Sequence, residues 1–113
     1  MLGFGLLLTA CSYDSADDLL APPACDPAAG SYAAMVAPLI QQRCLTCHSN
    51  TARGGDISLE THVQVQVVAL NGRLLGAVSH APSYKAMPQG APKISDCEIE
   101  QIRRWVAAGS PNN

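Results

Sequence analysis

Two cysteines and a histidine lie close together in the segment CLTCH, as Cys44, Cys47 and His48. Three kinds of chemistry use such a cluster. The side chains could ligate zinc, the thiols could cycle with a disulfide, or the thiols could be consumed in the covalent attachment of a cofactor. Each of these needs further residues elsewhere in the chain, so the rest of the sequence discriminates between them.

The spacing Cys-x-x-Cys-His is the attachment signature of c-type haem. Two thiols three positions apart can add to the two vinyl groups on one edge of the porphyrin, and the adjacent imidazole then lies beneath the iron. A structural zinc site needs four nitrogen or sulfur ligands, and a thioredoxin-like motif needs a βαβ unit, of which the sequence gives no sign. The other candidate ligands are scattered: Cys25, His62, His80 and Cys97.

Length and charge restrict the class of protein. The chain has 113 residues and a formal net charge of −2, with few and unclustered Lys and Arg residues. This suits one small domain and makes nucleic acid an unlikely partner. Because aromatic residues are few, aliphatic side chains must fill the interior, and a large apolar cofactor would relieve the shortage of core.

The first residues are typical of a secretory signal. Residues 1–10 form an apolar run, whereas a membrane-spanning helix needs about 20 apolar residues. The run ends in LTAC and resembles a bacterial lipobox, which implies cleavage before Cys11, acylation of its thiol and a membrane anchor. Residues 11–24 are rich in aspartate, proline and small residues, which predicts a flexible tether. The folded domain is predicted to span residues 25–113.

The domain is predicted to be all-α. A first helix follows Ser31, with Pro38 expected to bend or restart it, and a last helix begins at a capping box formed by Ser95 and Glu98. The segment THVQVQVV alternates as a strand would. Over a longer window, however, apolar residues recur every three to four positions and favour a helix: Leu59, Val63, Val67, Leu70 and Leu74.

Together with CLTCH, the segments AMPQGAPKIS and DCEIEQIRRWVAAGSP make the chain resemble the class I mono-haem cytochromes c, in their bacterial envelope lipoprotein form. The resemblance covers about residues 32 to 111. It implies a small cytochrome c-like fold in which the N- and C-terminal helices cross beside a covalently bound haem. The apolar residues of these helices would then pack together: Val36, Leu39, Ile40, Ile99, Ile102 and Trp105.

The resemblance also implies the axial ligands of the iron. His48 would be the first ligand and Met87 the second, and Pro88 restricts Met87 to extended backbone. His80, in the same irregular segment, is the alternative and would give a bis-histidine haem of lower potential. Met35 lies on an apolar helical face and is expected in the core.

Several other side chains have two interpretations. Haem propionates need polar partners, and the candidates, which are otherwise surface residues, are Arg73, Tyr84 and Lys85. Four leucines are expected in the haem pocket or the core: Leu59, Leu70, Leu74 and Leu75. His62 is expected to be an exposed helix residue.

The cysteine count predicts a disulfide. Of the five cysteines, Cys11 is assigned to lipid and Cys44 and Cys47 to haem c, which leaves Cys25 and Cys97. Thiols seldom stay free in an oxidising compartment. We therefore expect a bond between the start of the domain and the terminal helix, the alternative being two reduced thiols.

The predicted function is one-electron transfer by a single haem c with His/Met ligation, in the periplasm or cell envelope. The partners would be redox proteins. The chain is expected to be monomeric, and it is not expected to be an enzyme. Two alternatives stay open. The chain could be an accessory haem subunit of a specific dehydrogenase or reductase complex. It could also be a haem peroxidase or gas sensor, which would need an open or displaceable sixth position on the iron.

Overall fold

All the regular structure in the described part of the chain is helical, as predicted. A computed structural model describes residues 25–26 and 30–113. In chain order its elements are a π-helical turn Tyr32–Val36, α1 Ala37–Arg43, α2 Leu45–His48, a 3₁₀ turn Gly54–Asp56, α3 His62–Leu70, α4 Arg73–Val78 and α5 Asp96–Ala107. The predicted signal segment, the tether and the lipidated Cys11 lie outside the described residues. No helix within those residues is long and apolar enough to cross a bilayer.

The first helix begins as a π-helical turn and continues as an α-helix from Ala37, one residue before Pro38. Ser31 Oγ accepts a hydrogen bond from Ala34 N at 3.0 Å, and Ala37 N donates to Tyr32 O, five residues earlier. Pro38 has no N–H to donate and stands in the first turn of α1. The restart predicted at this proline is therefore confirmed, and its cause is the missing donor.

The terminal helix α5 begins with the predicted capping box. Glu98 N donates to Ser95 Oγ at 3.2 Å, and Ser95 N donates to Glu98 Oε2 at 2.8 Å. Two of the orphan donors of the first turn are thereby satisfied. The helix ends at Ala107, shortly before Gly109, which adopts a φ of 94°.

The helix predicted in the middle of the chain is present, but three residues whose spacing predicted it lie on its exposed side. Val63, Val67 and Leu70 are 66%, 59% and 59% exposed. Leu70 is therefore outside the core, and its other predicted place, the haem pocket, stays a prediction. The buried side of α3 consists of Val65, Val68 and Ala69. Two polar side chains on α3 set this rotation, because His62 Nε2 and Gln66 Nε2 both lie within hydrogen-bond distance of Ser110 O, at 2.8 and 3.2 Å.

One apolar cluster joins the first and last helices. Their six predicted contact residues are all buried in it: Val36, Leu39, Ile40, Ile99, Ile102 and Trp105. Tyr32 stacks on Trp105 with ring centroids 5.8 Å apart, and the His62 ring meets Tyr32 edge-on at 4.7 Å. The expectation that His62 is exposed was wrong, because its ring fills this aromatic corner.

The start of the domain is tied to α5 by a covalent and a polar contact. Cys25 and Cys97, 72 positions apart, form the predicted disulfide. One turn later on α5, Gln101 Nε2 donates to Asp26 O at 2.8 Å. Gln101 is buried, so both contacts hold the chain entry against the terminal helix.

Removing this disulfide should destabilise the domain. In the chain-entropy model a loop this long contributes on the order of 4 kcal/mol, so the Cys25→Ser/Cys97→Ser variant should unfold at a clearly lower denaturant concentration. Gln101→Ala should cost about 1 kcal/mol, the net value of one hydrogen bond. Urea unfolding followed by circular dichroism measures both. Equal midpoints for parent and double variant would contradict the expectation, as would reaction of the unfolded, unreduced parent with a thiol reagent at either cysteine.

Candidate functional site

One helical turn carries all three residues of the CLTCH cluster. Cys44 precedes α2, and its carbonyl oxygen accepts hydrogen bonds from Cys47 N at 3.2 Å and His48 N at 2.9 Å. Cys47 is exposed, whereas Cys44 and His48 are partly buried. Neither Cys44 nor Cys47 is in a disulfide. Two thiols and an imidazole are therefore available on one turn.

The His48 ring is oriented by a backbone carbonyl. Its Nδ1 lies 3.3 Å from Ile57 O. Because a carbonyl oxygen only accepts, the proton of the neutral ring lies on Nδ1, and the lone pair on Nε2 is left for a metal. The His48 carbonyl in turn accepts a hydrogen bond from Leu59 N at 2.7 Å. The loop of residues 49–60 thus folds back along His48 and fixes its tautomer.

Gly54 allows this loop to approach the cluster. A Cβ at position 54 would lie 2.7 Å from Cys47 O and 3.5 Å from His48 Cε1. The first distance is shorter than real Cβ atoms tolerate, and the atom it meets is backbone. A side chain here would therefore push the loop away from the imidazole.

A polar network around Asn50 holds the ends of the same loop. Asn50 Oδ1 accepts hydrogen bonds from Ser58 Oγ at 2.6 Å and from Gln64 Nε2 at 3.1 Å, and Asn50 N donates to Glu60 Oε1 at 3.0 Å. Gln64 also completes a capping box with Thr61. None of these residues was predicted from the sequence as part of the site. The spacing of Thr61 and Gln64 could have revealed the capping box, but the sequence gives no comparable signal for Asn50 and Ser58.

Met87 lies partly buried in the irregular segment that follows α4. Its N–H donates to Ala77 O at 3.0 Å, and its carbonyl accepts a hydrogen bond from His80 Nε2 at 3.0 Å. The peptide bond to Pro88 is cis. Both backbone polar atoms of Met87 are therefore bonded to residues at the end of α4.

The Tyr84 ring packs the same segment onto α4. It lies so close to Gly76 that no Cβ would fit there, and its hydroxyl would be 3.5 Å from a Cβ at Gly72. Tyr84 remains 41% exposed, and Arg73 and Lys85 are exposed too. The absence of a side chain at Gly76 on α4 thus makes room for an aromatic ring that packs the Met87 segment onto this helix.

Burial distinguishes the two thiols of the cluster. It raises the pKa of Cys44 to about 11, an effect that Arg43 partly offsets and Cys47 reinforces. At neutral pH the Cys44 side chain is therefore a protonated thiol. The exposed Cys47 is the more accessible of the two.

The donor set fits haem better than zinc. Within residues 25–26 and 30–113, no group of three or more His, Cys, Asp or Glu side chains is placed to hold a metal ion, which leaves a tetrahedral zinc site short of ligands. Two free thiols beside an imidazole with a free Nε2 are what covalent haem attachment uses. Met35 packs against the core, as expected.

Comparison with known proteins finds no relative of this chain. No family model matches the chain, and neither a curated protein nor a solved structure matches it.

In the folded, haem-free chain, Cys47 should be alkylated before Cys44. The raised pKa keeps Cys44 protonated at pH 8, and its rate should continue to rise until the pH approaches about 11, because only the thiolate reacts. Peptide mass spectrometry after timed iodoacetamide treatment measures both rates. Unfolding in urea should bring the two rates together. Equal rates in the folded chain would contradict the burial of Cys44.

Gly54→Ala should destabilise the protein by roughly 1–3 kcal/mol, the usual cost of overpacking. The matched control is Gly30→Ala, whose Cβ would lie an ordinary 3.7 Å from Gln101 O. Urea unfolding of both variants measures the difference. The close approach of Gly54 to the CLTCH turn would be refuted if the two variants were equally stable.

Proposed function

We propose that the chain is a mono-haem c-type cytochrome that carries single electrons between redox partner proteins in the bacterial cell envelope. The observation that carries this proposal is the CLTCH turn, in which His48 Nδ1 is engaged by Ile57 O at 3.3 Å and Nε2 is free. Haem c, when bound, would supply the ferric/ferrous couple. The chain itself would contribute ligands and position rather than a nucleophile, acid or base.

Cys44 and Cys47 would each form a thioether bond. Addition of each S–H across a vinyl group would need no oxidant, since the sulfur would go to one vinyl carbon and the proton to the other. The two thioether bonds would keep His48 beside the iron, and the Ile57 carbonyl would keep the orientation of its ring. A ligand whose backbone and ring are both fixed rearranges little between oxidation states, which favours fast electron transfer.

Met87 is proposed as the sixth ligand. A thioether is a soft, neutral donor that stabilises ferrous iron and gives a higher potential than a second imidazole would. The backbone of Met87 is bonded to the end of α4 through both its N–H and its carbonyl. The competing residue, His80, uses its Nε2 in one of those bonds, which supports Met87 over His80.

The proposal includes a cytochrome c-like packing and an envelope location. The shared burial of the first helical turns with α5 supports the packing. The disulfide between Cys25 and Cys97 suits an oxidising compartment. Acylation of Cys11 would anchor the domain to a membrane through the tether.

If the haem is covalent, the intact mass should exceed that of the processed polypeptide by one haem, and the colour should stay with the protein in acid acetone. The Cys25→Ser/Cys97→Ser variant is the control, because it removes two cysteines and leaves the CLTCH cluster intact. It should retain covalent haem, whereas Cys44→Ser/Cys47→Ser should lose it. Extraction of the colour from the parent would refute the proposal.

Met87→Ala should abolish the weak long-wavelength charge-transfer band that a thioether ligand gives to ferric haem, and it should lower the potential. The control is Met35→Ala, because Met35 packs against the core. Optical spectra and redox titration measure both effects. A parent without the band, or a band that survives in Met87→Ala and disappears in Met35→Ala, would show that the ligand is misassigned.

A further inference from the structure

His80 occupies a backbone position that glycine normally fills. Helix α4 ends at Val78, and His80 N and Ala81 N close it by donating to Ala77 O at 3.2 Å and Gly76 O at 3.0 Å. This is a Schellman closure, in which the residue two beyond the helix is left-handed. His80 has a φ of 56°, which any residue with a Cβ adopts only at a cost. A histidine here must therefore offer something that glycine does not.

What its side chain offers is a hydrogen bond to the Met87 backbone. His80 Nε2 donates to Met87 O at 3.0 Å, although the histidine is otherwise exposed. Met87 N donates to Ala77 O, which also accepts from His80 N. The Ala77 carbonyl thus takes part in both the Schellman closure and the bond to the Met87 N–H. The His80 ring adds the bond to the Met87 carbonyl.

We propose that His80 is a positioning residue for the sixth ligand: its ring holds the Met87 carbonyl so that the thioether stays on the iron. This inference depends on the proposed function. In it His80 acts through Met87 rather than as a ligand, since its Nε2 is engaged by the Met87 carbonyl.

The neighbourhood of Met87 makes this bond consequential. The residues around it are mostly exposed, with residues 82–86 and 89–93 all on the surface. Apart from the Tyr84 ring against Gly76, few buried contacts therefore hold the segment, and the backbone bonds at Met87 add to the restraint that this ring provides. Loss of the His80 bond should let Met87 leave the iron more often, and an external ligand should then bind more readily.

The test compares three variants of the haem-loaded protein: His80→Gly, His80→Ala and His80→Gln. The readouts are the charge-transfer band of the ferric protein, its affinity for imidazole, and thermal stability. His80→Gly and His80→Ala should bind imidazole about fivefold more tightly, the factor that corresponds to one net hydrogen bond, with a weaker band. His80→Gln can donate from its amide and should restore affinity and band toward the parent.

Thermal stability separates this role from a merely structural one. His80→Gly relieves the left-handed backbone and should melt no lower than the parent, yet it should lose the restraint on Met87. His80→Ala keeps the backbone cost and should melt lower than His80→Gly while binding imidazole equally well. Imidazole affinity that follows melting temperature across the three variants would overturn the inference.

Two further results overturn the inference in distinguishable ways. A parent that has covalent haem and the charge-transfer band, but whose His80→Gly variant binds imidazole no more tightly, refutes the positioning role alone. A parent with a bis-histidine spectrum that His80→Gly abolishes would make His80 the ligand itself. A parent without covalent haem would refute the proposed function, and the positioning role with it.

Discussion

The hydrogen bond from the His48 imidazole to the Ile57 carbonyl is the constraint on which the candidate site depends. It selects the tautomer that leaves Nε2 available, and it requires residues 49–60 to return along the CLTCH turn. That return is possible only because position 54 lacks a Cβ. The Asn50 network then joins the ends of the loop to α3, so the imidazole is oriented by the fold rather than by its own helix.

The two proposed ligands are held by the same principle. His48 ends the short helix α2, and Met87 lies in the segment after the short helix α4. Each is fixed by hydrogen bonds that involve backbone carbonyls. The rest of the domain supports them at a distance, since α5 closes the aliphatic cluster and the disulfide ties the chain entry to α5.

Local signals in the sequence predicted local structure well. The capping box at Ser95 and the restart at Pro38 were both readable because each depends on a single donor or acceptor nearby. The cysteine pairing followed from the assignment of the other three thiols. The haem chemistry proposed for the CLTCH cluster was also drawn from the sequence, because the spacing of the two thiols and the imidazole is what covalent attachment requires.

The exposed face of α3 and the partners of His62 could not be predicted, because both depend on Ser110 O, some 44 and 48 positions away from Gln66 and His62. Helix α3 carries apolar residues on all its sides, so periodicity alone could not show which side is buried.

The central claim, that His48 and Met87 hold one haem iron, is tested most directly by proton NMR of the ferrous protein with labelled methionine methyl groups. The porphyrin ring current should shift the Met87 methyl resonance strongly upfield and leave the methyl of Met35 near its usual position. The absence of any upfield methyl signal, or its assignment to Met35, would contradict the account.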